Sequence, residues 1–254
     1  MGLKKWTISR VQIILLLLIA LLEASLIADA ATLTVSSGNS IQAAIFEAKP
    51  NDTIIVMAGE YYEHLKVDKT VHLKGIGLPV LDATASGSAI TLTANGNTVE
   101  GFRIKNAGSL QDKKASEAGM KVLSSGNTIE GNNVSNNFNG MLIQGCRNNT
   151  IMNNIVDGNL GFGIRLERAM NNTIANNSLE DNSQNAFDNG ANHWDNNRYG
   201  DYELPGRGCK DRGDGICQKG YAVPGGTNVD SRPRIKKNES AQLNMNSNKY
   251  GKFE

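Results

Sequence analysis

A tripeptide, Asn-Thr followed by Ile or Val, occurs four times in the middle of the chain and constrains the fold more than any other feature. The four copies begin at Asn97, Asn127, Asn149 and Asn172. The last two intervals are almost equal, and the first is longer because it contains a polar insert at 109–118. A period of about 20 residues is typical of a solenoid, in which each repeat forms one coil that stacks on the next.

Short strand-like segments lie just before the four copies. They cover residues 89–92, 120–122, 141–143 and 164–166, and in several of them apolar residues alternate with polar ones, which is the strand period. No long helical pattern lies between them. Three short strands per coil, stacked about 4.8 Å apart, predict an all-β, right-handed parallel β-helix. At ~22 residues per coil, residues 31–200 form one domain of roughly seven coils.

Asparagine recurs in two columns, five and ten residues after the first Asn of the later copies. The first column contains Asn132, Asn154 and Asn177, and the second contains Asn137, Asn159 and Asn182. Stacked Asn side chains can pass amide hydrogen bonds from coil to coil, and Asn tolerates the left-handed backbone of a sharp corner. We therefore predict that both columns are structural ladders.

The N-terminal segment 1–30 has the features of a secretory signal peptide. Three basic residues precede an apolar run at 11–22, and Ala-Asp-Ala at 28–30 fits a small-x-small cleavage pattern. We therefore predict export, to the cell surface, the periplasm or the extracellular space. Contact with a membrane is expected only if this segment is retained.

Without residues 1–30, the formal net charge falls from +1 to 0. A neutral chain lacks the basic surface of nucleic-acid-binding proteins. The expected partner is a polysaccharide or another component of the cell envelope, and we expect the protein to be a monomer.

Both ends of a solenoid need a cover, because bare strand edges invite aggregation. Residues 39–48 form a short amphipathic stretch, and Asn39 with Gln42 resembles a capping box, so we predict an N-terminal cap helix there. The repeat pattern stops after Asn182. An irregular cap at 201–235 and a polar tail at 236–254 are expected to follow.

The chain contains three cysteines, and an odd number in an exported protein suggests one disulfide and one thiol. Cys209 and Cys217 enclose a short polar loop and are the natural pair. Cys146 precedes a repeat and is predicted to remain reduced and buried.

Several segments resemble the NosD-like family of exported β-helix proteins. They are Asp-Thr-Ile-Ile-Val at 52–56, the run at 71–77, the Asn-Thr-Ile repeats, and a C-terminal pattern at 211–216 and 224–230 that is similar to archaeal surface proteins. The resemblance implies the same fold. It leaves the function open, because such repeats occur in carbohydrate-active enzymes, copper-site maturation factors and surface proteins.

Four residues near the repeats are candidates for a ligand-binding surface. Lys121 and Arg165 are at outward strand positions, and Gln144 and Glu167 lie beside them. A glycosidase requires two carboxylates about 5–10 Å apart, and Glu167 has no evident partner on its own sheet. An enzymatic interpretation therefore needs a second carboxylate from the insert, with Glu117 or Asp112 as candidates.

Two kinds of metal site are compatible with parts of the sequence. Asp211 and Asp214 lie in a Gly-containing loop and could bind Ca²⁺ through their carboxylates. Copper handling, which the family resemblance implies, would need soft ligands brought together. No two of the three histidines, His64, His72 and His193, lie at ligand spacing within a motif.

The leading hypothesis is therefore a non-catalytic, exported β-helix module that binds glycans or envelope components. A polysaccharide lyase or glycoside hydrolase is the first alternative. A copper-site maturation accessory protein of the NosD type is the second. The sequence leaves the choice between enzyme and binding module open.

Overall fold

The computed structural model describes residues 30–108, 116–204 and 206–235, together with Ile13. Most of the predicted signal peptide, the insert residues 109–115 and the predicted polar tail at 236–254 lie outside the described residues. The described chain is an all-β, right-handed parallel β-solenoid of about seven turns with very little helix, which confirms the predicted fold class.

Successive turns add strands to three parallel sheets, which contain eight, six and seven strands. Sheet 1 contains β1 (Thr32–Val35), β2 (Thr53–Met57), β5 (His72–Ile76), β8 (Thr98–Glu100), β11 (Thr128–Glu130), β14 (Thr150–Met152), β17 (Met170–Ala175) and β20 (Ala191–Asp195). Sheet 2 contains β4 (Leu65–Val67), β7 (Ile90–Leu92), β10 (Met120–Val122), β13 (Met141–Gln144), β16 (Phe162–Glu167) and β19 (Gln184–Asp188). Sheet 3 contains β3 (Glu60–Tyr61), β6 (Val80–Ser86), β9 (Arg103–Ala107), β12 (Asn133–Ser135), β15 (Ile155–Asp157), β18 (Ser178–Glu180) and β21 (Arg198–Tyr199).

The Asn-Thr-Ile repeats stack in register on sheet 1. Thr128 pairs with Thr98 on one side and with Thr150 on the other. The apolar residue that follows each Thr points into the solenoid and is fully buried, as at Ile129 and Ile151. The repeat is therefore a stacking unit, since its Thr faces outward and its Ile builds the core.

Three asparagine ladders, rather than two, cross the coils. In one predicted ladder the amide N–H and Nδ2 of Asn132 donate to Oδ1 of Asn154 at 3.0 and 3.1 Å, and Asn154 donates to Asn177 in the same way. The second predicted ladder joins Asn137, Asn159 and Asn182. A third ladder, which was not predicted, consists of the four repeat asparagines, Asn97, Asn127, Asn149 and Asn172, followed by Asn192.

The left-handed corner residues are the neighbours of the ladder asparagines, so part of the predicted reason for these columns was wrong. The ladder asparagines do not have positive φ, but the residue immediately before each one does, with Asn192 as the exception. Examples are Asn153 at 56° before Asn154 and Gly126 at 70° before Asn127. Gly and Asn carry the least penalty in this conformation. The corner thus uses one residue to turn the chain and the next to bind the adjoining coil.

The solenoid continues for one coil beyond Asn182, where the repeat pattern was expected to stop. Trp194 of β20 pairs with Ile174, and Tyr199 of β21 pairs with Leu179. Both aromatic side chains are almost completely buried. The sequence pattern fades here because large rings replace the small aliphatic residues of the earlier coils.

An aspartate takes the place of a ladder asparagine at each end of the solenoid. Near the N-terminal end, the carboxylate of Asp52 accepts the N–H groups of Ala31 and Lys49, both at 2.7 Å. These backbone donors lower the pKa of Asp52. Asp52 is aligned with the repeat column, because the residue after it, Thr53, pairs with His72 of the next coil.

At the C-terminal end, the small hairpin of β22 (Tyr221–Ala222) and β23 (Val229–Asp230) supplies the last ladder groups. The fully buried carboxylate of Asp230 accepts the N–H and Nδ2 of Asn197 at 2.9 and 3.0 Å and the hydroxyl of Tyr199 at 3.2 Å. The ring of Tyr221 stacks on Tyr199 with centroids 3.7 Å apart. Burial raises the pKa of both phenols, which keeps them neutral hydrogen-bond donors.

The N-terminal cover is the helix α1 (Ile41–Glu47), as expected, although its predicted capping pair was wrong. Ser40, and not Asn39, is the N-cap, and its hydroxyl accepts the N–H of Ala43 at 3.1 Å. A carboxylate from the first coil, Glu63, binds the N–H groups of the first two helical residues. No helix in the described part of the chain is long and apolar enough to cross a membrane.

The ladders can be tested by truncating one interior asparagine. Asn154→Ala removes the acceptor of the buried N–H of Asn132 and a donor to the carbonyl of Ile129. Because unpaired buried polar groups are costly, we expect the free energy of unfolding to fall by about 3 kcal/mol. Urea denaturation followed by circular dichroism measures the change.

The exposed Asn39 provides the matched control, since Asn39→Ala makes the same change outside the ladders. Its effect should stay within about 0.5 kcal/mol. Equal effects of the two substitutions would show that the ladders do not stabilise the solenoid.

Candidate functional site

The four predicted ligand-binding residues lie together on the outer face of sheet 2. Lys121 of β10, Leu142 of β13 and Arg165 of β16 are direct Cα partners across three successive coils. Gln144 and Glu167 are partners in the next outward column. Their common face follows from strand alternation, because each is adjacent in sequence to a core position. Their role as ligand contacts stays a prediction.

Arg165 is held in place by an ion pair and two aromatic rings. Its guanidinium pairs with the carboxylate of Glu167 and lies 4.6 Å from the ring centroid of Phe162 and 5.5 Å from that of Phe187. The two rings meet edge to face, with centroids 5.6 Å apart. Its Nε is buried and has no hydrogen-bond partner among the described residues. Cation–π contacts of this kind orient a guanidinium.

Sequence reasoning missed both phenylalanines of this arrangement. Phe187 is the Cα partner of Arg165 on the next coil and is therefore in the same outward column. The sequence feature that could have revealed Phe187 is its position, because it lies one repeat after the outward residue Arg165. With it, the outward column contains one cation, one apolar group, a second cation and a ring: Lys121, Leu142, Arg165 and Phe187.

The enzymatic alternative required a second carboxylate near Glu167. In the structure, Glu167 accepts a hydrogen bond from Nε2 of Gln144 at 3.0 Å as well as pairing with Arg165. Glu117 accepts the hydroxyl of Ser88 at 2.7 Å and lies 3.9 Å from Nζ of Lys121. Asp112 lies outside the described residues. The structure thus gives each described carboxylate a different basic partner, and the proposed pair stays a prediction.

Sheet 1 presents a pair of carboxylates that the sequence analysis did not single out. Glu100 of β8 and Glu130 of β11 are direct Cα partners on its outer face. Nζ of Lys74 lies 2.8 Å from Glu100 and Nε2 of His72 lies 3.2 Å from it, and the bond from Lys74 lowers the pKa of Glu100. The signal was the Glu that directly follows the first two copies of the repeat.

The three histidines are not brought together. His72 and His193 occupy the same outward column of sheet 1 but are separated by five strand steps, or about 24 Å. Nδ1 of His64, on another face, lies 2.9 Å from the carbonyl oxygen of Ser88. Within the described residues, no group of three or more His, Cys, Asp or Glu side chains is arranged to hold a metal ion.

The predicted calcium ligands are bound within their own loop. Oδ1 of Asp211 accepts the N–H groups of Gly213 and Gly215, at 2.8 and 3.1 Å. Asp214 pairs with Arg212 at 2.6 Å, and this bond lowers the pKa of Asp214. Hydrogen bonds inside the loop thus already shape it, and Ca²⁺ binding at these two residues stays a prediction.

Comparison with known proteins supports the fold. A family model described as a right handed beta helix region matches residues 80–201. No sequence among curated proteins matches the chain.

The first solved structure that it resembles is an alginate lyase from Paenibacillus sp. str. FPU-7, with 16% identity and a TM-score of 0.56. The match covers 66% of each chain, so the chain spans just under two thirds of that enzyme. Pectin methylesterase PemA from Erwinia chrysanthemi matches with 14% identity and a TM-score of 0.39, over 68% of this chain and 71% of that chain. At 16% identity, the likeness to the alginate lyase concerns the fold alone.

The cysteines behave as expected, since Cys209 and Cys217 form a disulfide and Cys146 is free and buried. Burial raises the pKa of the Cys146 thiol.

Replacing both bridged cysteines by Ser should lower the free energy of unfolding by about 2–3 kcal/mol, because the disulfide no longer restricts the short loop in the unfolded chain. Denaturation curves of the wild-type protein, the double Ser variant and Cys146→Ser measure the change in the free energy of unfolding.

Non-reducing peptide mapping provides the independent check. We expect one bridged peptide pair, from Cys209 and Cys217, and a free thiol at Cys146. A bridge between Cys146 and either of the other two would contradict both the coil assignment and the position of the cap.

Proposed function

We propose that this is an exported β-helix protein that binds an extended polysaccharide of the cell envelope along the outer face of sheet 2, without catalysing its cleavage. The observation that carries the proposal is the in-register row from Lys121 to Phe187 beside Gln144 and Glu167. Lys121, Arg165 and Phe187 are half-buried and Leu142 between them is buried. Stacked strands repeat at about 4.8 Å, so the partly exposed members of the row form a linear array of contacts suited to a polymer.

The composition of the row supports a sugar as the ligand. Phe162 and Phe187 flank Arg165 and present apolar ring surface, while Gln144 and Glu167 supply an amide and a carboxylate. Binding sites for small polar molecules combine aromatic surface with a few fixed polar groups. The ion pair and the rings fix Arg165 before any ligand arrives, which lowers the entropy cost of binding.

The alginate lyase shares this fold and its name identifies a polysaccharide as its substrate. That likeness supports a polysaccharide as the ligand only in the sense that a protein with this fold acts on one. Membership of the NosD-like group, a copper-related role and export itself stay predictions from the sequence. The disulfide between Cys209 and Cys217 is compatible with an oxidising compartment.

Glycoside hydrolysis is the second candidate, and the observation that favours it is the carboxylate pair on sheet 1. Glu100 and Glu130 project from adjacent strands. Adjacent strands lie about 4.8 Å apart, which is close to the distance of about 5–5.5 Å between the two carboxyl groups of retaining glycosidases. If the protein is a hydrolase, release of reducing ends from a polysaccharide panel should be lost in Glu130→Gln. Absence of any release by the wild-type protein would dismiss this candidate.

Binding is tested by affinity electrophoresis against a panel of neutral and acidic polysaccharides. We expect the wild-type protein to be retarded by at least one polymer. Arg165→Gln removes the central charge of the row and should weaken that binding about tenfold, the effect expected for a central contact residue.

Arg103→Gln is the matched control, because Arg103 is an exposed arginine on β9 of sheet 3. It should leave the retardation unchanged. Retardation by no polymer at all, or an equal loss in the two variants, would contradict binding on sheet 2.

A further inference from the structure

A cleft lies at the N-terminal end of the solenoid, where the first coil meets the start of α1. Its volume is about 310 Å³. Its walls come from the turn before the helix and from β3 with the residues after it: Gly38, Asn39, Ser40, Glu60, Tyr61, Tyr62 and Glu63. This cleft is on another part of the molecule from the row on sheet 2, and neither proposal depends on the other.

An exposed aromatic ring stands at this cleft. Tyr62 is 62% exposed, although large rings are more often buried. Its hydroxyl donates a hydrogen bond to Oε2 of Glu60, and this bond raises the pKa of the phenol. The bond ties the ring to β3, so a carboxylate and an aromatic ring are held side by side.

The charge of the cleft is negative. Its lining contains the carboxylates of Glu60 and Glu63 and no basic residue. Lys105 lies 3.9 Å from Glu60, but its Nζ is closer to Asp82, at 3.4 Å. A ligand with a positive charge is therefore favoured over an anion.

The helix amides do not reverse this preference. The carboxylate of Glu63 accepts the N–H groups of Ile41 and Gln42 at 2.8 and 3.0 Å and the hydroxyl of Ser40 at 2.7 Å. The donors that could otherwise attract an anion are satisfied from within the protein. Glu60 is exposed whereas Glu63 is half-buried, so Glu60 is the carboxylate that meets a ligand, which shares it with the hydroxyl of Tyr62 and with Lys105.

We propose that this cleft binds an amino sugar residue, with its protonated amine between Glu60 and the ring of Tyr62. A carboxylate and an aromatic face attract an ammonium group together. The exposed side chain of Asn39 supplies an amide for sugar hydroxyls. The volume lies at the small end of the range for ligand sites, which suits one sugar residue.

The test is a titration of the full protein with glucosamine, followed by two-dimensional NMR. We expect saturable shifts confined to the cleft, with glucose and glucuronate binding at least about tenfold more weakly because they lack the amine. Raising the salt concentration should weaken glucosamine binding, since the attraction is electrostatic. Propylamine, a singly charged amine without a sugar ring, should also bind more weakly.

Variants locate the site. Glu60→Gln and Tyr62→Ala each change an exposed side chain and should each weaken glucosamine binding about tenfold. Phe46→Ala is the control, because Phe46 is an exposed ring on α1 that does not line the cleft. The proposal is overturned if glucose or propylamine binds as tightly as glucosamine, if no saturable shifts occur, or if the control weakens binding as much as the other two variants.

Discussion

The hydrogen bond from a corner amide to the side chain of the next coil is the interaction on which the rest of the structure depends. At the corners that carry a ladder asparagine, the backbone N–H points along the solenoid axis and away from solvent. A carboxamide oxygen one coil further on accepts it, as Asn149 does for Asn127 at 2.9 Å. Since a buried N–H without a partner is costly, this contact fixes how one coil lies on the next.

The ladders also explain the two ends of the solenoid. The last coil has ladder positions but no further coil to continue them. Near the N-terminal end, Asp52 is followed in its column by Val71, whose side chain cannot accept a hydrogen bond. Asp52 accepts amides at one end, and Asp230 accepts both donors of Asn197 at the other. A carboxylate suits these positions because it only accepts hydrogen bonds and needs no partner beyond it. The terminal aspartates therefore close the ladders where asparagine would leave its own amide unpaired.

Coil register, set by the ladders, in turn positions the outer faces. Lys121 and Arg165 are aligned because Met120, Met141 and Ile164 are aligned in the core. The same rule places Glu100 against Glu130 on sheet 1. Surface chemistry on this fold is therefore arranged in straight columns, and a residue's partner is found one repeat away in the sequence.

The sequence was most informative where the repeat is regular. The nearly constant spacing of the later repeats predicted the coils, two of the ladders and the outward positions of sheet 2, because strand alternation and the repeat length determine them. It was least informative where a different type of residue occupies a repeat position and the backbone of the coil stays the same. Trp194 occupies an Ile position and Asp230 occupies an Asn position, so neither matched the repeat.

Other features depend on contacts between distant segments and so have no local signal. The carboxylate that caps α1 is Glu63, which lies well beyond the helix, in the following coil. The cleft beside Tyr62 exists because this same contact brings the two segments together. Neither spacing nor composition contains that information.

The central claim concerns the corner amides, and native-state hydrogen exchange measures them directly. The backbone N–H groups of Asn127, Asn132 and Asn154, each bound to a side chain of the next coil, should exchange as slowly as the core strands, by global unfolding. Exchange of these amides at the rate of exposed turns would contradict the account, because it would show that the ladders do not hold the coils together.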